Sequence, residues 1–317
     1  MSRRVAWILS NDLVGMDNQS FGLAEALGLD CVKKRIVPAA PWKYLPPGLW
    51  LSPLKFLGAG SDDLQPPWPD VVIGTGRLSV AVSVAIKRAS GGRTLNIRIQ
   101  HPQMNLRHFD LIVAPQHDHC SGDNVLETIG AVNRVTQARL DDAAQKFAPQ
   151  FADLPHPLIG VLLGGTNKRY VIDAAFANDL ADKLIMALDR HGGSVLITPS
   201  RRTDAVVVSV LRERLAQHSA VIWDGSGENP YFAYLALADY LVVTADSVNM
   251  ASEVSFTGKP VFVAGLTGGK GKFEDFHRSL QARGCTRPFT GELAHWQYQP
   301  LDETRRVANE IKHRLGW

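Results

Sequence analysis

"VVTADSVNMASEVSFTGKPVFV", residues 242–263, decides how this chain folds. An apolar run, Leu241–Val243, enters the turn Thr244-Ala245-Asp246-Ser247. A helical pattern follows, carries Glu253 among apolar and small residues, and breaks at Gly258 before a second apolar run from Pro260. Short continuous apolar runs suit strands covered on both faces, and a helix between two of them makes a parallel β-α-β unit. Asp246 or Ser247 suits the cap of that helix, whose N-terminus is then an anion site. Glu253 lies roughly one and a half to two turns further on, near the lip of the strand layer. An unpaired carboxylate there is expensive and needs donors, either an arginine such as Arg201 or the hydroxyls of a ribose.

The same alternation runs through the chain. Strands are expected at Val5–Leu9, Val32–Val37, Val71–Ile73, Leu95–Ile99 and Leu111–Ala114, then at Leu158–Leu163, Ser194–Thr198, Ala220–Trp223, Tyr240–Val243 and Val261–Ala264. Helical patterns separate them, clearest over Asp173–Arg190 and Ala205–Gln217. Strands alternating with helices imply doubly wound α/β architecture. The 317 residues fit two domains of about 150 residues each. The division expected near Gln145–Pro157 gives an N-terminal domain over 1–150 and a C-terminal domain over 151–317, facing one another across a cleft. A last helix over 302–314 suits either domain.

Composition narrows the class. Apolar residues make up 45% and charged residues 21%, as in ordinary globular domains. The formal charge of +3, without a basic stripe, argues against a nucleic-acid partner. Three dispersed cysteines, Cys31, Cys120 and Cys285, fit a reducing compartment rather than a disulfide framework. The apolar run after Arg3-Arg4 is too short for a leader, and no run approaches the ~20 residues of a membrane span. The expected location is the cytoplasm, in peripheral contact with the inner face of the membrane if residues 41–60 dock there.

Open parallel sheets bind ligands beyond the carboxyl ends of their strands, so the residues there are the ones to read. "LLGGTNKRY" (162–170) offers Gly164, Gly165 and Thr166 for close backbone approach, with Lys168 or Arg169 for phosphate. Its third glycine is missing, so it is not a dinucleotide fingerprint, and "GLTGGKGK" (265–272) lacks the spacing of a P-loop. "TPSRRT" sets Ser200, Arg201 and Arg202 ahead of a helix that Thr203 suits as cap, a place where a diphosphate meets guanidinium and helix N-terminus together. In "GENPYFAYLALADY" (227–240) Asn229 opens a helix with Pro230 at its first position, and Tyr231 faces the strand ends.

The first half offers acid–base candidates. His117 and Asp118 lie in "APQHDHC" (114–120), whose neighbouring side chains alternate in direction and cannot converge on a metal; no metal is expected. Asp17, in the first strand-to-helix loop, is either a base or the cap of a helix over Asn18–Leu27. "PWKYLPPGLWLSPLKFLGAG" (41–60) interleaves Trp42, Tyr44, Trp50, Leu54 and Phe56 with Lys43 and Lys55. That mixture suits either a peripheral membrane contact or lipid-carrier groove, or a loop folded onto the first domain.

Together "GMDNQSFGLAEALG", "PDVVIGTGR", "FDLIVAPQHD", "NVLETIGAVNRV", "LLGGTNKRY", "TPSRRT", the stretch from Gly227 to Val261 and "QPLDETRRVANEI" resemble the elongated-mitochondria (mitochondrial fission) family, over about Asp12 to Arg314. Its bacterial members are described as glycosyltransferases, and its plant members act in mitochondrial division by recruiting a dynamin-like protein. The resemblance implies a GT-B fold of two Rossmann-like domains, with the donor nucleotide in the second and the acceptor in the first. Ala238–Val263 is also similar to the donor segment of the lipid-linked N-acetylglucosaminyltransferase of peptidoglycan synthesis, where a glutamate at the place of Glu253 holds the ribose. The expected function is metal-independent glycosyl transfer from a nucleoside-diphosphate sugar to an unidentified, lipid-linked or envelope acceptor, with no cofactor. A non-catalytic interaction protein and a nucleotide-sugar epimerase or hydrolase are the alternatives.

Overall fold

The computed structural model describes residues 3–268 and 271–317, so part of "GLTGGKGK" lies outside the described residues. Two compact units emerge, one comprising Met1–Arg134 with Asp302–Trp317, the other Val135–Leu301.

Unit 1 is a six-stranded parallel sheet of β1 (Val5–Ser10), β2 (Asp30–Arg35), β3 (Val71–Thr75), β4 (Leu95–Ile99), β5 (Leu111–Pro115) and β6 (Val125–Thr128), in the order β2-β1-β3-β4-β5-β6. Strand side chains alternate between faces, and both faces of this sheet are covered, which is why β1 is apolar from Val5 to Leu9. Ala6 and Ile8 join Leu23, Ala24 and Leu27 of α1 (Val14–Leu27) on one face, where the chain's last helix, α9 (Glu303–Leu315), adds Val307, Ala308 and Ile311. Trp7 and Leu9 face the other side, against Ala81, Val82 and Ile86 of α2 (Val80–Ala89) and Trp50.

Unit 2 begins with α3 (Gln137–Phe151) and continues as β7 (Leu158–Leu163), α4 (Ala174–His191), β8 (Ser194–Pro199), α5 (Ala205–Arg214), β9 (Ala220–Ile222), α6 (Tyr231–Leu237), β10 (Tyr240–Thr244), α7 (Val248–Ser255), β11 (Val261–Ala264), α8 (Lys272–Ala282) and β12 (Thr286–Pro288). Its parallel sheet runs β12-β11-β10-β7-β8-β9. Counted within the unit from the β9 edge, this is the Rossmann order 3-2-1-4-5-6.

Three differences from the sequence reading have physical causes. The units divide at Arg134/Val135 rather than after 150, because Phe147 and Phe151 of α3 pack with Leu158, Leu196 and Tyr234 of unit 2. Strands β6 and β12 escaped notice because both are edge strands, short and only partly buried, and β12 ends in a proline. Helix α1 begins at Val14, so Asp17 lies inside its first turn and does not cap it.

Candidate functional site

In unit 2 the strand order reverses between β7 and β10, and ligands of open α/β sheets bind at that reversal. The turn after β7 is tied to the end of β10. Gly164 N–H donates to Thr244 Oγ1 (2.8 Å) and Gly165 N–H to the Asp246 carboxylate (3.1 Å). Thr244 Oγ1 donates in turn to Asp246 (2.6 Å), and Arg202 bridges Asp246 (3.1 Å) and the Gly165 carbonyl (3.2 Å). The glycines are required by this packing rather than by a ligand. A Cβ on Gly164 would stand 2.0 Å from the Asp246 carboxylate, and one on Gly165 would stand 2.1 Å from the Arg202 carbonyl oxygen. Their amides are engaged within the protein, which corrects the expectation that they wait for phosphate.

The neighbouring side chains sort in the same way. Ser247, not Asp246, caps α7, accepting from Met250 N–H (3.2 Å). Asp204, not Thr203, caps α5, because the Thr203 hydroxyl turns inward to the carbonyls ending β7. Ser200 Oγ shapes the same turn, accepting from Arg202 N–H (3.2 Å). Thr166 Oγ1 closes its own loop against both backbone groups of Ile172. Arg169 lies over the Phe273 ring at 5.6 Å. Lys168 and Arg201 are exposed and make no hydrogen bond or ion pair among the described residues.

Glu253 is a different kind of carboxylate. It is 5% exposed on α7, and Tyr231, the first residue of α6, donates its phenol to it. Among the described residues no cation pairs with it and no other hydrogen bond reaches it, so the arginine considered from the sequence is absent. Burial pushes its pKa up from 4.5 to about 7, against the opposing effect of the Tyr231 hydrogen bond. Burial also raises the Tyr231 phenol well above its usual value, and the Glu253 charge adds to this. Asn229 positions the tyrosine, its side chain accepting from Tyr231 N–H (2.9 Å), while Pro230 precedes the first helical residue.

In unit 1 the order reverses between β1 and β3. There Asp17 accepts from Ser10 Oγ (2.8 Å) and pairs with Lys33 (3.2 Å). Asp12 completes the network with Lys33 (2.8 Å) and Arg35 (2.6 Å), its pKa lowered chiefly by the Lys33 hydrogen bond. His117 is buried beyond β5, whereas Asp118 accepts from His101 N–H (3.4 Å) and faces the field of Arg98. Arg98 is fully buried on β4, donates to Gly74 O and Ser79 Oγ, and is pulled down to about 9 by desolvation. Asp17 and the His117–Asp118 turn thus follow different strands, β1 and β5.

Residues 14–315 match the family model for mitochondrial fission ELM1. The chain belongs to the mitochondrial fission ELM1 family. A relative in Arabidopsis thaliana, the mitochondrial fission protein ELM1, is 35% identical over 279 residues, which is 78% of this chain and 65% of the plant protein. An uncharacterized protein of Rickettsia prowazekii is 26% identical over 287 residues, 78% of this chain and 80% of that one. Among solved structures the fold resembles the UDP-GlcNAc 2-epimerase of Methanocaldococcus jannaschii, with a TM-score of 0.59 at 10% identity over 98% of this chain and 99% of the other. The Neisseria meningitidis UDP-GlcNAc 2-epimerase, solved with UDP-GlcNAc bound, gives 0.52 at 13% identity over 99% of both chains. At such identities the likeness establishes the fold, a GT-B-like pair of Rossmann-like domains.

For this ELM1-family chain, sequence reasoning missed Thr244, Ser10 and Lys33 as parts of the strand-end networks. Ser10 and Thr244 each end a strand, which was the available signal, whereas Lys33 lies within β2 and carried none. His277 on α8 was also missed. Its Nε2 lies 2.8 Å from Ala245 O and burial lowers its pKa, so the neutral ring donates to that carbonyl. No motif flagged it.

Proposed function

We propose that unit 2 binds a nucleoside-diphosphate sugar and that the protein transfers the sugar without a metal. Glu253 carries this reading. A carboxylate accepts several hydrogen bonds, yet this one receives a single phenol at a buried position, and two ribose hydroxyls would supply what it lacks. The diphosphate belongs at the N-terminus of α7 rather than at the Gly164-Gly165 turn, with exposed Arg201 and Lys168 to meet it. Asp17, at the end of β1, is our candidate for the base that takes the acceptor proton, ahead of buried His117 and Asp118. The UDP-GlcNAc complex of the Neisseria fold relative is in keeping with such a donor.

Calorimetric titration of wild type and Glu253→Ala with UDP-, GDP-, ADP- and TDP-sugars tests the reading. One donor should bind wild type, with affinity loosening about tenfold per pH unit below 7 as Glu253 takes up its proton, and Glu253→Ala should lose that affinity. Release of nucleoside diphosphate only when an acceptor is added then separates transfer from epimerisation or hydrolysis. A second reading, a non-catalytic interaction protein, is favoured by the engaged amides of Gly164 and Gly165. Absence of binding by every donor would select it.

A further inference from the structure

The segment Pro41–Gly60 is folded onto unit 1 yet turns apolar side chains outward. Its anchoring is extensive. Trp50 is buried in the core with Trp7, Leu9 and Ile36, and its indole N–H donates to Leu45 O (3.1 Å). Arg77, just beyond β3, also donates to Leu45 O (2.9 Å), Trp42 and Phe56 rings lie 5.1 Å apart, and Ala39 N–H reaches Phe56 O (3.1 Å). A segment held this firmly could have tucked its remaining apolar groups away. Instead Tyr44 is 74%, Leu49 60% and Leu51 70% exposed, with Phe56 beside them at 42%. Scattered exposed apolar residues are normal, but four within thirteen residues of one anchored segment form a patch of the kind that marks an interaction site.

Charge and shape identify the occupant. Residues 41–60 contain Lys43 and Lys55 and no acidic residue. Next to the patch, an open groove of about 630 Å³ runs between this segment and α2, with mainly apolar walls that include Trp50, Leu51, Ala81, Val84 and Met104. Arg88 and His108 complete its lining. Exposed leucines and an aromatic among lysines, beside an apolar groove with a basic flank, match the layering of a bilayer surface, where anionic headgroups lie above acyl chains. No helix among the described residues is long and apolar enough to cross a membrane. We infer that this face of unit 1 docks on an anionic phospholipid bilayer, with Leu49 and Leu51 entering the headgroup–acyl boundary and the groove beside α2 receiving part of an acyl chain. The inference stands whether or not unit 2 transfers a sugar.

Co-sedimentation of the full chain with phosphatidylcholine vesicles, with and without phosphatidylglycerol, tests it. Wild type should sediment with the mixed vesicles, increasingly as salt is lowered, and remain in solution with phosphatidylcholine alone. Lys43→Gln/Lys55→Gln should weaken binding by about 25-fold, roughly fivefold for each lysine near an anionic leaflet. Leu49→Ser/Leu51→Ser should weaken it by about tenfold or more at an unchanged melting temperature, since both side chains already face solvent. Ala85→Trp, which fills the groove, should also reduce binding. Wild type left in solution with both vesicles overturns the proposal, as does a leucine double variant that sediments like wild type. Self-association abolished by that double variant, without vesicle binding, overturns it in favour of a second copy as occupant. Unchanged binding by Ala85→Trp overturns the acyl-chain part.

Discussion

The two places where strand order reverses handle their carboxylates in opposite ways. In unit 1, between β1 and β3, Asp12 and Asp17 lie among Lys33, Arg35 and the Ser10 hydroxyl, each carboxylate with a cationic partner. In unit 2, between β7 and β10, the carboxylates divide. Asp246 is wholly shielded and satisfied by an amide, a hydroxyl and a guanidinium. Glu253 is nearly as buried and has one phenol. A satisfied carboxylate braces the structure, whereas an undersatisfied one makes the empty protein less stable than it would be with a neutral side chain. That asymmetry is the ground on which we propose Glu253, rather than Asp246 or the glycine turn, as the ribose-binding group.

The largest test of this contrast is Asp246→Ala. It removes the partner of Arg202 and leaves the Gly165 amide and Thr244 hydroxyl without their acceptor, so urea denaturation should show a loss of about 3–4 kcal/mol. A loss under about 1 kcal/mol would deny Asp246 its bracing role. Glu253→Gln should do the reverse, and its effect should depend on pH. The folded state raises the Glu253 pKa from 4.5 to about 7, so the native state holds a proton through that interval while the unfolded chain has released it. Its contribution to stability is therefore complete below the unfolded value and lost as pH rises through about 7, on the order of 3 kcal/mol in all. Glu253→Gln should match wild type near pH 4.5 and exceed it at pH 8; parallel profiles would contradict the burial argument.

Smaller effects sharpen the comparison. Tyr231→Phe removes the one donor to Glu253, costs about 1.5 kcal/mol at pH 8, and should move the Glu253 titration upward, because that hydrogen bond is what opposes desolvation. An unmoved midpoint would mean that the pair does not hold in solution. Asp17→Asn, among partly exposed partners, should change stability by less than about 1 kcal/mol. If Asp17 is the base, turnover should nevertheless fall steeply while donor affinity holds.

Much of the architecture could be read from residue order. Continuous apolar runs such as Leu158–Leu163 and Val261–Ala264 announced buried parallel strands, and the helices between them announced crossovers, since periodicity follows directly from burial on one face or two. The edge strands β6 and β12 were not readable, because each is short, only partly buried and interrupted by a charged residue, Glu127 or Arg287. At the site, the local spacing after each strand picked out Gly164, Arg202, Tyr231, Asp246 and Glu253. It could not assign their partners. Which N–H groups remain free after the turn of β7 meets the end of β10 depends on residues about 80 positions apart in the chain.

The sequence by itself determined the class of fold and the strand ends where chemistry gathers, because both follow from local patterns of apolarity, glycine and charge. Only the tertiary structure decided that Gly164 and Gly165 serve packing, that Arg202 belongs to Asp246, and that Glu253 has a phenol for company. Hydrogen-bond partners and desolvation are properties of three-dimensional neighbourhoods, and the same residue types in the same order would leave those neighbourhoods undetermined.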